Sequence, residues 1–575
     1  MIRQLDVDGI PALLAPTGGP TQAGLMFRVG QADETLARRG LTHLLEHLVL
    51  HPLGAADYHY NGTTGSVVTH FHLSGSVDDI TTFLTGVCRS LRELPVHRLD
   101  TEKAILDTEW AGRPAAATDQ LPLWRYGARD YGLGAYAELG LPAITAEDLQ
   151  EWAARYFTRE NAVLWLAGAE LPPDLRLELP SGTRMPAPAA SSALAGTPAF
   201  FYGPGRATAM DAVVPAGAAA RVLSGVVERE LFRALRQRDG LSYTTATDYE
   251  PRGDGNAVVT ALADAPNGKE DAVLGGFVDV LAKIRVGRID EADVAAVVGK
   301  ATEALSSVEA DGARLPSIAF NLLTGRPVRS SDDLTRQLKE VTVESVHAVA
   351  TTAHASSLLM TPRGRGADWA GFIRAEPGLV GLLPGTSHRG LGGLDGQRLI
   401  VGAEGVSLVT GSGQSGQVVS VRYDRCAAML AWPDGGRQLI GDDGVSLQLE
   451  PTVYEGATAE LADAAVPVQS RIDLPARDPA EIPQPETVAG PAGRHPRSGV
   501  AGSGVVARFR SLSSGQQLKV GALGLITLVV GVAVLSLTIA MIVGAVDFRV
   551  LSALGSWMIA GYLGRAFLKA WNEGR

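Results

Sequence analysis

Two histidines and a glutamate lie close together in the segment 40–50, where apolar residues recur at helical spacing. Residues four apart lie on one face of a helix, so His43 and His47 would present two imidazoles to a common point, with Glu46 beside them. Catalytic Zn²⁺ takes three protein ligands and a water, and two histidines with one carboxylate form a known ligand set. The segment therefore predicts two zinc ligands and a carboxylate that takes a proton from water.

A third ligand must come from another part of the chain. The segment 99–110 carries Glu102 and Glu109, seven positions apart and therefore about two turns along one helical face. Apolar residues lie between them, as in a helix that packs on one side.

These motifs resemble those of the pitrilysin/insulinase family, the inverzincins, whose H-x-x-E-H order reverses the usual zinc motif. The resemblance implies that His43, His47 and Glu109 bind Zn²⁺. It also implies that Glu46 activates the water and that Glu102 supports a ligating histidine. The gap from the second histidine to the third ligand is short for the family, which predicts a trimmed hairpin between them.

The resemblance extends to residues that would bind substrate. Asn61 opens a strand-like segment that matches an Asn-rich strand of the family, which makes it a candidate for gripping substrate backbone. The alternative is a simple turn residue before Gly62. Arg236 and Tyr243 match an Arg and Tyr pair that contacts the substrate carbonyl, and the alternative is a solvated turn between a helix and a strand.

Other reactive side chains have ordinary interpretations. His70 and His72 share one face of a strand, but they are interpreted as ordinary packing or surface residues. Cys88 and Cys426 lie too far apart to suggest a small disulfide framework, so a reducing compartment is expected.

Two stretches, 144–168 and 341–360, repeat one pattern: a capping Thr, an acidic first turn, apolar residues at helical spacing, and a strand. Such endings are also common in unrelated α+β proteins. We predict two similar α+β peptidase-clamshell domains, of which 1–185 holds the metal and 195–365 is metal-free.

The remainder of the chain is organised differently. Short alternating strands at 385–465 predict a small all-β module that faintly resembles pleckstrin-homology-like modules. The segment 475–504 is rich in Pro, Gly, Ala and Ser and is typical of a flexible linker. Apolar runs at 520–546 and 550–568 predict a transmembrane hairpin, and the alternative is a single span with the second run on the membrane surface. In either case the flanking Lys and Arg predict a cell-membrane protein whose peptidase domains face the cytoplasm.

Length and charge limit the class of protein. A chain of 575 residues is too long for one core, so several domains are expected. Its formal net charge of -11 gives no reason to expect a nucleic-acid partner.

These observations favour a membrane-tethered zinc metalloendopeptidase that cleaves peptides or unfolded segments, such as a leader or processing peptidase. The alternative is a non-catalytic clamshell scaffold that holds a partner peptidase or a peptide at the membrane. A third hypothesis makes peptide cleavage secondary to lipid or protein binding by the all-β module. The resembling family builds its chamber from four domains and this chain supplies two, so a homodimer, or a heterodimer with a related subunit, is implied.

Overall fold

The computed structural model describes residues 2–485, except for 55–57, 115, 308, 377, 379 and 412–416. Three sets of strands follow one another along this part of the chain, and each set builds its own sheet or pair of sheets.

The first set forms a six-stranded sheet with helices packed on one face. Its elements are β1 (Arg3–Val7), β2 (Ile10–Ala15), β3 (Gln22–Phe27), α1 (Leu41–Leu50), β4 (His59–Thr64), β5 (Thr69–Ser74), α2 (Val77–Arg92), α3 (Leu99–Gly112), α4 (Gln120–Tyr126), α5 (Ala146–Tyr156) and β6 (Ala162–Ala167). The strand order is β1-β2-β6-β3-β5-β4, with β2 parallel to β6 and β4 at an edge. Phe27, Leu44, Phe83 and Leu149 lie in the core between this sheet and its helices.

The second set forms another six-stranded sheet. Its elements are β7 (Ala199–Tyr202), β8 (Thr208–Pro215), α6 (Ala218–Leu231), β9 (Thr245–Pro251), β10 (Asn256–Ala263), α7 (Glu270–Arg285), α8 (Glu291–Ser306), α9 (Ala310–Leu323), α10 (Ser331–Lys339), α11 (Val343–Ser356), β11 (Leu358–Thr361) and β12 (Ile373–Arg374). A π-helical turn, Phe232–Arg238, follows α6 directly.

The two sheets share a strand order. In the second sheet β7, β11, β8, β10 and β9 occupy the places that β2, β6, β3, β5 and β4 occupy in the first. The parallel pair of the first sheet, β2 with β6, has its counterpart in β7 with β11. Thr145 and Thr342, the predicted capping residues, each accept a hydrogen bond from the backbone three residues later and so begin α5 and α11. The predicted mixed α+β fold is confirmed.

The helices of the first set cover one face of the first sheet, and helix α9 of the second set lies across the opposite face. Leu315 and Ile318 of α9 pack against Met26 and Trp165 of that sheet. A buried ion pair also joins helix α4 to the second sheet, because Arg125 of α4 contacts Asp211 of β8.

The third set is a β module of two four-stranded sheets. Its elements are β13 (Thr386–Arg389), β14 (Gln397–Val401), β15 (Gly405–Thr410), β16 (Gln417–Arg422), β17 (Cys426–Ala431), β18 (Arg437–Gly441), β19 (Ser446–Leu449), α12 (Glu460–Ala465) and β20 (Arg471–Asp473). Val406, Met429, Leu439 and Leu447 are among its buried core residues. The faint likeness to pleckstrin-homology-like modules stays a prediction.

The predicted cell-membrane location is contradicted. Across residues 2–485, outside the gaps given above, no helix is both long and apolar enough to cross a bilayer. Helices α2, α7 and α8 have 16 residues each, and a helix of that length spans about 24 Å against a hydrocarbon core of about 30 Å. The predicted spans 520–546 and 550–568, and the predicted linker after residue 485, lie outside the described residues.

Both cysteines are buried and unpaired. Burial raises the pKa of the Cys88 thiol to about 12 and that of Cys426 to about 11.

Candidate metal centre

The first turn of helix α1 is built around a buried glutamate. Gly40 precedes the helix with φ of 104°, a left-handed conformation that favours glycine. The Glu34 carboxylate accepts hydrogen bonds from the backbone N–H groups of Gly40 at 3.0 Å and Thr42 at 2.7 Å. These groups are the unpaired donors of a helix start, where an anion is stabilised. Glu34, which lies outside the H-x-x-E-H motif, therefore fixes the start of the helix that carries the motif.

His43, His47 and Glu109 converge, as the zinc hypothesis requires. One ligand atom from each lies within 4.8 Å of the others. The two imidazole rings are perpendicular, with centroids 4.8 Å apart. The histidine side chains are mostly buried, whereas the Glu109 side chain is 52% exposed, so the cluster is open to solvent on the Glu109 side.

Each histidine of the cluster has a carboxylate at its Nδ1 atom. Glu102 Oε2 lies 3.5 Å from Nδ1 of His47, and Glu138 Oε1 lies 2.9 Å from Nδ1 of His43. A carboxylate that accepts the Nδ1 proton fixes the ring tautomer and leaves Nε2 free to bind a metal. This pairing is the usual support of a ligating histidine.

Glu102 is buried and is itself held by two further groups. Arg98, one helical turn before it, approaches its carboxylate to 3.1 Å, and His51 Nδ1 lies 3.8 Å from it. The supporting role of Glu102 stays a prediction, and its position beside a histidine ring agrees with that role.

His43 and Glu138 each shift the pKa of the other. Burial acts to lower the pKa of His43, but the hydrogen bond and the charge of Glu138 outweigh it and raise the pKa. Burial likewise acts to raise the pKa of Glu138, and the hydrogen bond with His43 outweighs it and lowers the pKa. Both shifts favour the arrangement in which an ionised Glu138 accepts the Nδ1 proton of His43.

Glu46 lies on the side of α1 that faces strand β4. Its side chain is buried, and the Thr64 hydroxyl donates a hydrogen bond of 2.6 Å to Oε2. Gly62 leaves room for it, since a Cβ at residue 62 would lie 2.5 Å from Glu46 Oε1. Burial raises the pKa of Glu46, against the opposing effect of the Thr64 hydrogen bond.

The predicted substrate residues lie apart from this cluster in the sequence and on other elements. Asn61 is exposed on the edge strand β4 and pairs in register with His72 of β5. Arg236 lies in the π-helical turn, with its guanidinium 5.3 Å from the ring centre of Tyr243. Tyr243 is 76% exposed. The structure thus brings Arg236 and Tyr243 together as a stacked pair, and their role in binding stays a prediction.

A cavity of about 1690 Å³ lies between the two six-stranded sheets. Tyr249 and Thr260 of the second sheet and Arg314 of α9 line it, and it extends to the turn 65–68. That turn follows Thr64, which hydrogen-bonds Glu46. The three converging ligand candidates are not part of its lining.

Sequence reasoning missed Glu138, Thr64 and Gly62. Glu138 is 95 positions from His43 and belongs to no recognised motif, so no local signal indicates the contact. Gly62 carried a usable signal, because a glycine inside a strand often marks close approach by another group.

The side chains present fit Zn²⁺. Two imidazoles and a carboxylate are a known catalytic zinc set, and both rings have the carboxylate partners that ligating histidines usually have. The exposed side of the cluster would admit a water and a substrate.

Solved structures of M16 peptidases and related chains share this fold. A protease from Helicobacter pylori matches with a TM-score of 0.54 and 16% identity, over 63% of this chain and 100% of that chain. A peptidase M16 inactive domain from Pseudomonas fluorescens matches with a TM-score of 0.51 and 16% identity, over 63% of this chain and 97% of that chain. A chain of complex III2 from Candida albicans matches with a TM-score of 0.53 and 13% identity, over 63% and 96%.

No family model and no curated protein matches the sequence. At these identities the structural likeness establishes the fold alone. The chain has the M16 peptidase fold, which supports the predicted resemblance to pitrilysin at the level of architecture.

Proposed function

We propose that this protein is a zinc-dependent endopeptidase. The observation that carries the proposal is the convergence of His43, His47 and Glu109 within 4.8 Å. The buried Glu46, on the helix that carries His43 and His47, supplies the base that the hydrolysis of a peptide bond requires.

Each residue of the site would have a distinct task in the reaction. His43, His47 and Glu109 would hold the metal, which when bound acts as a Lewis acid on the scissile carbonyl and makes water more acidic. Glu46 would take the water proton on one carboxylate oxygen and pass it to the leaving amine. Thr64 holds the other oxygen, so the carboxylate is oriented before substrate binds.

An extended peptide is the substrate that the surroundings of this site favour. Strand β4 is at the edge of its sheet, so a peptide can pair with its free backbone groups beside Asn61. The cavity next to the turn 65–68 offers room for further residues of the bound peptide. Both features favour peptides or unfolded segments over folded proteins.

A single substitution separates metal binding from catalysis. In the full-length chain, Glu46→Gln should leave zinc content unchanged and abolish cleavage of a quenched-fluorescent peptide, because only the base is lost. Glu93→Gln, at an exposed position, is the matched control and should retain both. Comparable turnover in the Glu46→Gln protein would contradict the role of Glu46.

A non-catalytic scaffold is the second candidate, since the same fold also serves an inactive peptidase domain. It differs in its expected outcome: the wild-type chain would bind peptides without binding zinc and without cleaving them. Metal analysis of the purified wild-type protein distinguishes the two.

The active form would be a dimer, either of this chain or with a related subunit. Arg236 and Tyr243 form an exposed stacked pair and are available to a neighbouring subunit. In this proposal the pair completes the zinc site of that neighbour.

A further inference from the structure

The β module of strands β13–β20 lies against the segment that follows α4. Four of its apolar residues face outward from its own core and pack on the first domain, which comprises the elements from β1 to β6 and the segments between them. They are Ala428, Leu430, Ile440 and Ile472, and they contact Leu36, Ala37, Ala128 and Leu133. These side chains form a core of their own, separate from the one inside the module. The contact is therefore a docking surface, buried and apolar.

Backbone and charged groups fix the register of this contact. The N–H group of Ala128 donates to the carbonyl oxygen of Asp442 at 3.0 Å. The Asp442 carboxylate accepts from Arg129, also at 3.0 Å. Gly127, with φ of 72°, allows the close approach, because a Cβ there would lie 2.3 Å from the Asp442 carbonyl oxygen.

The docked segment continues directly to Glu138. Leu133, buried under the module, accepts a hydrogen bond of 3.0 Å from Nε of Arg39. The same guanidinium lies 3.4 Å from the Glu138 carboxylate, which holds His43.

Arg39 also lies 3.3 Å from Glu34, the residue that caps helix α1. The backbone N–H of Gly140 donates to the carbonyl oxygen of Arg39, which ties the far side of the segment to the helix start. One layer of side chains thus separates the module from the residues that orient the first zinc ligand.

We propose that the β module is a positioning element of the metal centre: by docking on residues 127–143 it holds Glu138 where it fixes the ring of His43. The inference rests on the proposed zinc site and deepens it. It gives the module a role inside the peptidase, through a contact with the segment beside the first ligand. Supporting carboxylates of this kind contribute to metal affinity, since their loss typically costs about 10- to 100-fold.

The test places a charge in the docking surface of the full-length protein. Leu430→Glu puts a carboxylate among apolar residues of the first domain and leaves the core of the module intact. Zinc affinity, measured by competition with a chelator, should fall by about 10-fold or more. The visible absorption spectrum of the Co²⁺-substituted protein should change as the ring of His43 loses its fixed orientation. Gln448→Glu adds the same charge at an exposed position of the module and should change neither readout.

A milder variant and a combined variant keep the test decisive. Leu430→Ala should shift zinc affinity in the same direction by a smaller factor and serves if the Glu variant does not fold. Glu138→Gln alone should weaken zinc binding, and adding Leu430→Glu to it should have little further effect, because residues that act through one another are not additive.

Two results would overturn the inference or its basis. Wild-type zinc affinity and an unchanged Co²⁺ spectrum in both Leu430 variants would show that docking does not act on the site. A wild-type chain that binds no zinc would instead overturn the proposed zinc site.

Discussion

The carboxyl group of Glu46 lies directly against the α-carbon of Gly62. An added Cβ at residue 62 would be 2.5 Å from Oε1 and 2.7 Å from Cδ of Glu46, so the two positions cannot both carry side chains without movement. The base of the proposed reaction is therefore positioned as much by the missing side chain on β4 as by its own helix.

Gly62→Ala should reduce kcat without loss of zinc. The methyl group displaces the Glu46 carboxylate, and a displacement of about 1 Å from a reacting group costs on the order of 100-fold in rate. Peptide cleavage and metal analysis on the same preparation measure the two effects. Gly275→Ala is the control, because a Cβ there meets no atom within 4 Å. Full activity in the Gly62→Ala protein would show that Glu46 does not need this position.

Asp211→Asn should destabilise the contact between α4 and the second sheet. Arg125 donates to the Asp211 carboxylate at 2.9 Å and to the Ser356 carbonyl at 2.9 Å, and the pair is buried. Removing one partner leaves a buried charge, so the free energy of unfolding should fall by about 3 kcal/mol in urea denaturation. Replacing both residues together, by Arg125→Met and Asp211→Leu, should cost less than either single change. Equal or larger loss in the double variant would mean that the pair itself stabilises the contact.

His70 should make stability depend on pH. Burial, with a smaller effect of the nearby His72, lowers the pKa of His70 from 6.5 to about 3, and the ring accepts a hydrogen bond from Trp165 at 2.8 Å. In the unfolded chain the His70 ring binds a proton as the pH falls through about 6.5, whereas in the folded chain the ring stays neutral until the pH approaches about 3. This contribution to stability is therefore complete above about pH 6.5 and is lost as the pH falls toward 3.

The measurement is the free energy of unfolding of zinc-free protein between about pH 7 and about pH 5. In the wild type, His70 contributes a slope approaching about 1.4 kcal/mol per pH unit. His70→Gln keeps an acceptor for Trp165 and cannot be protonated, so its profile should be flatter by that amount. Parallel profiles would show that His70 is not held neutral in the folded chain.

Mixing two inactive chains tests the proposed dimer. Glu46→Gln removes the base and Tyr243→Phe removes a hydroxyl of the exposed pair, so each protein alone should be inactive or nearly so. A dimer of one chain of each kind has two sites, each built from the zinc ligands and Glu46 of one chain and the Arg236 and Tyr243 pair of the other. One of these two sites would contain no substitution. Mixing should therefore recover part of the activity, scored by peptide cleavage after subunit exchange is demonstrated. No recovery after exchange would mean that Tyr243 acts within its own chain or with a different partner.

Local pattern was enough to predict the elements that carry the metal ligands. Helical spacing placed His43 and His47 on one face of a helix, and the two-turn spacing of Glu102 and Glu109 placed both on one face of another. The family resemblance implied that these two faces meet, and the structure brings Glu102 and Glu109 to His47. The capping threonines were predictable for the same reason, because a cap acts within three residues.

Contacts between distant segments could not be read in the same way. Glu138 reaches His43 across 95 positions, and Asp442 reaches Arg129 across 313. Neither contact leaves a periodic pattern, since each depends on how two folded parts pack. The membrane prediction rested on apolar runs at 520–568, which lie outside the residues that the structure describes. Among the described residues, no helix is long and apolar enough to cross a bilayer, so the predicted membrane location is contradicted.

The buried state of both cysteines makes the native chain a convenient host for site-specific labels. The thiolate is the form of cysteine that attacks thiol-directed reagents, and at Cys88 and Cys426 burial both blocks access and keeps the thiol protonated. A cysteine introduced at an exposed residue, such as Gln448 of the module or Asn61 of β4, would then be the sole reactive thiol of the folded protein. A pair of dyes at those positions would report the separation of module and edge strand in single molecules, with no need to remove native residues first.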